Sequence, residues 1–299
     1  MKISVFINVL NEAQRIRHCL ESVQWADEIV IVDMHSDDET VAIAREFTDK
    51  ILYFDRMGYC EPARKFAAEK TQGEWALNID ADEIVTLGLK HELLRIVREE
   101  LYDAVYVPRK NYFWGEEMRF SGCGQFQDRP LRFYKKGAVS FSETIHAGIH
   151  LNSSARVYRI SDPQAHFLHF SYISPQQYWE KMDRYTTIEA EALFHQGDAY
   201  TLKWALKDAW DAFWKRYVKK GKGHKDGQWG LIYCLWTAVY RINIYAKYVL
   251  MKTYRTADYV PQIEKKYEQI IKVALKDLKE DRLQSTKSKS VFWLYGRAI

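Results

Sequence analysis

Trp75-Ala76-Leu77-Asn78-Ile79-Asp80-Ala81-Asp82-Glu83 is the stretch on which the fold turns: a short apolar run that ends in three acids within four residues. A run of this length, followed at once by charge, predicts a strand buried on both faces. The same figure stands twice upstream. Ile3 to Val9 is apolar and leads to Asn11-Glu12, and Glu28-Ile29-Val30-Ile31-Val32-Asp33 ends in an acid. Between these runs the period changes. Ile16, Cys19, Leu20 and Val23 share one helical face. Ser36-Asp37-Asp38-Glu39 predicts the cap of a helix through Val41, Ile43, Ala44 and Phe47. Ile51 to Phe54 reads as a third strand and Ala63 to Lys70 as a helix. Strands alternating with helices predict an α/β fold, a Rossmann-like, mostly parallel sheet with helices on both faces. Ligands of such sheets lie beyond the carboxyl ends of the strands, where Asp33 and Asp80 fall.

Beyond about Leu101 the pattern changes. Val105 to Pro108, Leu131 to Tyr134 and Val157 to Ile160 read as strands, and the Gly-rich, polar stretch from Trp114 to Asp128 reads as a site-forming loop. After Ser174 the pattern is helical almost to the end. This divides the chain into an α/β unit at 1–174 and a helical region at 175–299. The 47% hydrophobic and 28% charged composition describes a full core and excludes a disordered chain. A net charge of +4 over 299 residues, without a basic stripe on a nucleic-acid-binding fold, argues against nucleic acid as partner. Cys19, Cys60, Cys123 and Cys234 are scattered with no CxxC pair, which argues against structural zinc and fits reduced thiols. The first residues enter a strand directly, without a secretory cleavage site, so a cytoplasmic location is expected.

Asp80 and Asp82 sit where a divalent cation could be gripped. Mg²⁺ and Mn²⁺ take oxygen ligands, often one or two carboxylates completed by phosphates. The plain alternative is a solvated acidic turn. Asp33 could accept from a base N–H or a ribose hydroxyl, or serve as a turn acid. Asn11 and Glu12 form a further polar rim, although Glu12 also suits the first turn of a helix. Arg64 lies between the third and fourth strands, within reach of a diphosphate. No Gly-rich loop follows the first strand, so a dinucleotide oxidoreductase is excluded and a sugar nucleotidyltransferase is disfavoured.

Ser4 to Glu12, Asp27 to Asp33 with Ser36-Asp37-Asp38-Glu39-Thr40, and Gly73-Glu74-Trp75 leading into Asp80-Ala81-Asp82-Glu83 resemble family 2 glycosyltransferases in order and spacing. The branch that adds glucose to the lipopolysaccharide inner core is the one these motifs most resemble. The resemblance continues through Asp128-Arg129-Pro130-Leu131-Arg132-Phe133-Tyr134, Thr144-Ile145-His146-Ala147, His169-Phe170-Ser171-Tyr172, Lys181-Met182-Asp183-Arg184-Tyr185 and Lys225 to Gly230, covering about residues 2 to 250. It implies a GT-A fold, inversion at the anomeric carbon, Mg²⁺ or Mn²⁺, a UDP-sugar donor with glucose favoured, and a glycan or glycolipid acceptor. It implies Asp33 at the uracil, Asp80 by the ribose or metal, and Asp82 on the metal. Inverting transfer needs a general base. Asp128 is the first candidate and Glu143 the second, because Ala147 stands where the branch usually has Glu. His146 could meet a phosphate or the metal. An inactive relative serving as a binding or scaffold subunit is the rival of a different class.

In the helical half, Trp204, Trp210, Phe213, Trp214 and Tyr217 crowd one predicted helix, with Lys215, Arg216, Lys219, Lys220, Lys222 and Lys225 close behind. Such a stretch suits peripheral contact with an anionic membrane surface, packing on the catalytic unit, or a homodimer interface. Trp229 to Met251 is apolar, but Arg241 and Lys247 interrupt it as a membrane span. The last helix, around Val260 to Arg282, is expected to pack on the rest.

Overall fold

The computed structural model describes residues 2–56, 59–141, 149–197 and 199–295, with the side chains of the last helix described as far as Leu278 except at 277. The chain begins β1 (Ile3–Val9), α1 (Ile16–Val23), β2 (Glu28–Asp33), α2 (Thr40–Ala44), β3 (Ile51–Tyr53), α3 (Glu61–Lys70), β4 (Trp75–Asp80). It continues β5 (Glu83–Val85), α4 (Leu87–Glu99), β6 (Ala104–Tyr106), β7 (Arg109–Phe113), β8 (Glu116–Glu117), β9 (Leu131–Lys135), β10 (Val139–Phe141), β11 (Ile149–Leu151), β12 (Val157–Arg159), β13 (Phe167–Tyr172). Four helices close it: α5 (Pro175–Gln196), α6 (Leu202–Tyr217), α7 (Gly227–Tyr254) and α8 (Val260–Tyr295).

The main sheet has seven strands in the order β12-β6-β9-β4-β1-β2-β3. β3, β2, β1 and β4 run parallel, as predicted. β9 enters antiparallel between β4 and β6. Burial on both faces explains the near-continuous apolar runs. Ile3, Val5, Ile7 and Val9 of β1 pack with Ile16 and Leu20 of α1 and Leu89 and Leu93 of α4. Phe6 points the other way, toward Ala63 and Ala67 of α3. Asn8 is in register with Asp80 and Val9 with Asp33, so the two acids flank the carboxyl end of β1.

The helix whose first turn Glu12 would suit begins only at Ile16. Asn11 takes a left-handed φ of 57°, which Asn tolerates. Its Oδ1 accepts the Asp37 N–H at 2.7 Å, and its own N–H donates to Ser36 Oγ at 2.9 Å. Asp38 accepts the N–H groups of Ala13 and Thr40 at 3.1 and 3.0 Å. The acid run therefore staples two sheet-edge turns together, and α2 is only five residues long.

A second sheet, β5-β13-β7-β8, was not evident in the sequence. Its register places Glu83, His169 and Asn111 side by side across three strands. α5 starts where predicted, with Ser174 Oγ accepting the Gln177 N–H at 3.1 Å. Phe113, Met118 and Cys123 from before this point pack with Tyr178, Met182, Tyr233 and Cys234 from after it. The expectation for the last helix is not met: Tyr267, Ile270, Ile271 and Val273 of α8 stand exposed. Among the described residues no helix is long and apolar enough to cross a membrane.

The loop that carries Asp128 is held by the helical region. Asp226 accepts the N–H groups of Arg119 and Phe120 at 3.0 and 3.1 Å and the Ser121 hydroxyl at 2.7 Å. The turn at Gly223–Asp226 lies so close to α7 that a Cβ at Gly230 would stand 2.0 Å from the Gly223 carbonyl oxygen. The obstacle is backbone, so it cannot swing aside. Gly230→Ala should lower stability by about 1–3 kcal/mol despite alanine's better helix propensity; an unchanged urea midpoint would contradict the close approach.

Candidate active site

The carboxyl ends of β1 and β4, the face of the second sheet and the start of α5 enclose a cleft of about 750 Å³. Its floor is charged because the strands that end there carry acids, and because β7, β9 and β13 bring basic and polar groups opposite them.

Asp80 is held by two arginines. Arg64 Nη2 donates to Oδ1 at 2.6 Å, and Arg132 bonds both oxygens. Burial works against its ionisation, but Arg132 and Arg64 outweigh that and hold the carboxyl well below its usual range. Glu83, fully buried, accepts the Asp80 N–H at 2.9 Å and lies 3.1 Å from Arg109 and 3.4 Å from Arg132. Arg109 in turn donates twice to Asp128, at 2.9 and 3.0 Å. Acids and bases thus alternate from Arg64 through Asp80, Arg132, Glu83 and Arg109 to Asp128. The partner of Asp128 is not Arg129 or Arg132, its neighbours in sequence, but Arg109 on β7. Asp128 is kept ionised against its burial by Arg109 and by the Asn111 amide.

Asp82 has a different environment. No arginine closes on it within hydrogen-bond distance; Arg15 Nη1 is 3.7 Å away and His169 Nε2 is 3.5 Å away. Burial raises its carboxyl, and His169 in its charged form more than reverses this. His169 Nδ1 sits 2.5 Å from Asn111 Oδ1, while Asn111 Nδ2 donates to Asp128 Oδ2 at 2.9 Å and to the Cys123 carbonyl at 2.6 Å. Because the Asn111 nitrogen faces two oxygens, its Oδ1 is the acceptor and His169 Nδ1 carries the proton. In a neutral ring the Nε2 lone pair then faces the Asp82 carboxylate. Two lone-pair donors confronting each other at 3.5 Å, with the far ring nitrogen anchored, are a donor set that fits a divalent cation. Among the described residues no group of three or more His, Cys, Asp or Glu is clustered for a metal, so phosphate oxygens or water would complete the shell.

Glu12 borders the same space. Its Oε2 is buried without a hydrogen-bond partner, and Arg15 is 3.5 Å away. Asn11 lines the cleft but spends its side chain on the Asp37 turn. Asp33 is only 1% exposed and receives the Ser36 N–H at 3.1 Å, so it shapes the turn at the end of β2. Arg64 reaches into the cleft but is engaged with Asp80. Glu143 and His146, with Ala147, lie outside the described residues. The four cysteines are free.

Sequence reasoning missed Arg109 and Asn111 and quoted Glu83, His169 and Lys181 only within motifs. The signal was alternation: 109, 111 and 113 share one face of β7, and 167, 169 and 171 one face of β13. Polar residues on those faces left both strands unassigned in the sequence. Lys181 of α5 lies with its ammonium 5.4 Å from the Tyr172 ring centre at the wall of the cleft. Burial disfavours that charge, but Tyr172 and Asp82 hold it protonated.

Residues 4–156 match the model of glycosyl transferase family 2. A glycosyltransferase of Rickettsia felis without assigned activity is 29% identical over 207 residues, 66% of this chain and 71% of the relative. The lipopolysaccharide core biosynthesis glycosyltransferase LpsC of Rhizobium meliloti is 25% identical over 264 residues, 84% of this chain and 94% of LpsC. Among solved structures, the mannosyltransferase PcManGT from Pyrobaculum calidifontis, in complex with GDP-Man and Mn²⁺, aligns over 83% of this chain and 87% of its own at 14% identity and a TM-score of 0.49. With the family model covering half of the sequence, the chain belongs to glycosyl transferase family 2.

Proposed function

We propose that this glycosyltransferase moves a sugar, glucose in the first instance, from UDP to a hydroxyl of a surface glycan, with inversion and with Mg²⁺ or Mn²⁺. The observation that carries this reading is the unbroken line from Asp82 through His169 and Asn111 to Asp128 across the second sheet. It joins a place suited to the leaving diphosphate to a carboxylate suited to the acceptor. The similarity to LpsC over most of both chains supports a lipopolysaccharide core acceptor.

A divalent cation held by Asp82 and His169 would neutralise the charge that develops on the departing diphosphate. Asp80 has both oxygens engaged by arginines, so in this reading it positions the ribose side of the donor rather than sharing the metal. Lys181 and Arg15 add positive charge where the phosphates would lie. Asp128 takes the proton of the acceptor hydroxyl while that oxygen bonds the anomeric carbon; the bond from that carbon to phosphate oxygen breaks, and UDP leaves with the electron pair. Arg109 and Asn111 fix the orientation of Asp128: its Oδ2 accepts from both, and Oδ1, which accepts only from Arg109, keeps a lone pair for this task. Asp33 and Asn11 frame the uracil end through the turns they hold.

Asp82→Asn should abolish Mn²⁺-dependent UDP binding in calorimetric titration while leaving the unfolding curve intact. Binding that needs no metal, or that survives the substitution, would remove the metal assignment. Asp128→Asn should leave UDP binding unchanged and lower transfer by about 10²–10⁴-fold. If transfer persists, the proton goes elsewhere.

Glu12 supplies a pH test of the donor pocket. Burial pushes its carboxyl from the ordinary 4.5 up to about 7, against the pull of Arg15. The folded chain then binds more protons than the unfolded chain between these values. Stability should fall as pH rises through that window, by at most about 1.4 kcal/mol per pH unit. Glu12→Gln should flatten this slope in urea titrations; equal slopes in both proteins would refute it.

A further inference from the structure

Helix α6 is built inside out for a soluble protein. Its buried residues are small, Ala205 and Ala209, with Phe213 and Tyr217 packed partly buried against the core. The opposite side carries Leu206, Trp210 and Trp214, exposed by 54%, 59% and 37%, with the two indoles stacked 5.5 Å apart. Trp204 beside them is 62% exposed. A contiguous apolar patch of this kind marks a contact surface. Its charge identifies the partner. Residues 201–225 hold eight Lys and Arg against two Asp, whereas the whole chain has a net charge of only +4, so everything outside this segment is net acidic. Lys203, Lys215, Lys219, Lys220 and Lys222 are exposed around and just past the indoles. Of the other helices with exposed apolar residues, α7 shows Leu231, Leu235 and Val239 with no charged residue between them, and α8 interleaves Glu264 and Glu268 with Lys265, Lys266 and Lys272; neither has such an excess.

We infer that α6 docks this protein on an anionic lipid surface, with Trp210 and Trp214 in the interfacial region and the lysines over the headgroups. Indoles favour that boundary because they pair a large apolar ring with one N–H donor. Each lysine near an anionic leaflet adds attraction that salt screens. A copy of this same chain is a poorer fit, because two α6 faces meeting across a two-fold axis would bring like charges together. The docking helix also reaches the cleft. Arg216, on its inner side, donates to the Ser121 carbonyl at 3.1 Å and lines the cavity. If the transferase reading holds, the cleft would be presented to acceptors anchored in the same surface; the docking itself does not depend on that reading.

The test is flotation of the full chain with phosphatidylcholine vesicles, with and without phosphatidylglycerol, over a salt series. Binding is expected only with phosphatidylglycerol and should weaken as salt rises. The triple variant Lys219→Ser, Lys220→Ser, Lys222→Ser should lose on the order of a hundredfold in affinity. The pair Trp210→Ser and Trp214→Ser should also detach the protein. UDP titration in the presence of Mn²⁺ should be unchanged in both variants, which separates failure of docking from failure of the donor site. Equal binding to neutral vesicles, no binding to anionic ones, or unaltered binding by the variants would overturn the assignment. So would a dimer in solution that the Trp210→Ser, Trp214→Ser variant splits.

Discussion

Glu83 is the acid around which the site is built. It is fully buried, and a buried carboxylate survives only if paired and hydrogen-bonded. Here the Asp80 N–H, Arg109 and Arg132 surround it. Removing one member of such a pair and leaving the other uncompensated typically costs about 3–5 kcal/mol. Both arginines have a second obligation, Arg132 to Asp80 and Arg109 to Asp128. A change at Glu83 therefore reaches each end of the cleft without touching a ligand. The geometry of the strand ends is not independent of the chemistry placed there.

The same bookkeeping of charge separates the acids by task. Asp80 and Asp128 are bound by arginines and are fixed as anions. Asp82, two residues from Asp80, keeps only looser neighbours at 3.5 and 3.7 Å. It is thus the acid of the strand end best able to accept a new cation. Glu12, desolvated beside it, is the acid least at ease with its charge.

The parallel half of the fold was legible because buried parallel strands have little choice but continuous apolar sequence. The acids at the ends of β2 and β4 were legible for the complementary reason, since charge after such a run must lie at the rim. The second sheet was not legible. Arg109, Asn111, His169 and Ser171 face a polar cleft, so the alternation of β7 and β13 is not one of apolar against polar residues, which is what advertises a half-buried strand. Nor could spacing reveal that Asp128 pairs with Arg109, 19 residues earlier, instead of the adjacent Arg129. The helical half was read correctly in its start at Ser174 and incorrectly in its end. Periodicity reports that α8 has an apolar side, not that anything covers it.

The antiparallel entry of β9 between β4 and β6 has a consequence for how the chain assembles. Asp80 and Glu83 lie in the first third of the sequence, but the guanidinium groups of Arg109 and Arg132 come later, the second on a strand that must insert into an edge left open between its neighbours. Until that strand arrives, the growing sheet holds two acids it cannot bury and an unpaired β4 edge. Position in the sheet thus does not follow order of synthesis: β9, an interior strand beside the central β4, is the sixth of the seven to be made. A ribosome releasing this chain would expose an incomplete, sticky edge for as long as it takes to make some fifty more residues, roughly a few seconds at ordinary elongation rates, which makes β4 the segment most in need of protection before the fold closes.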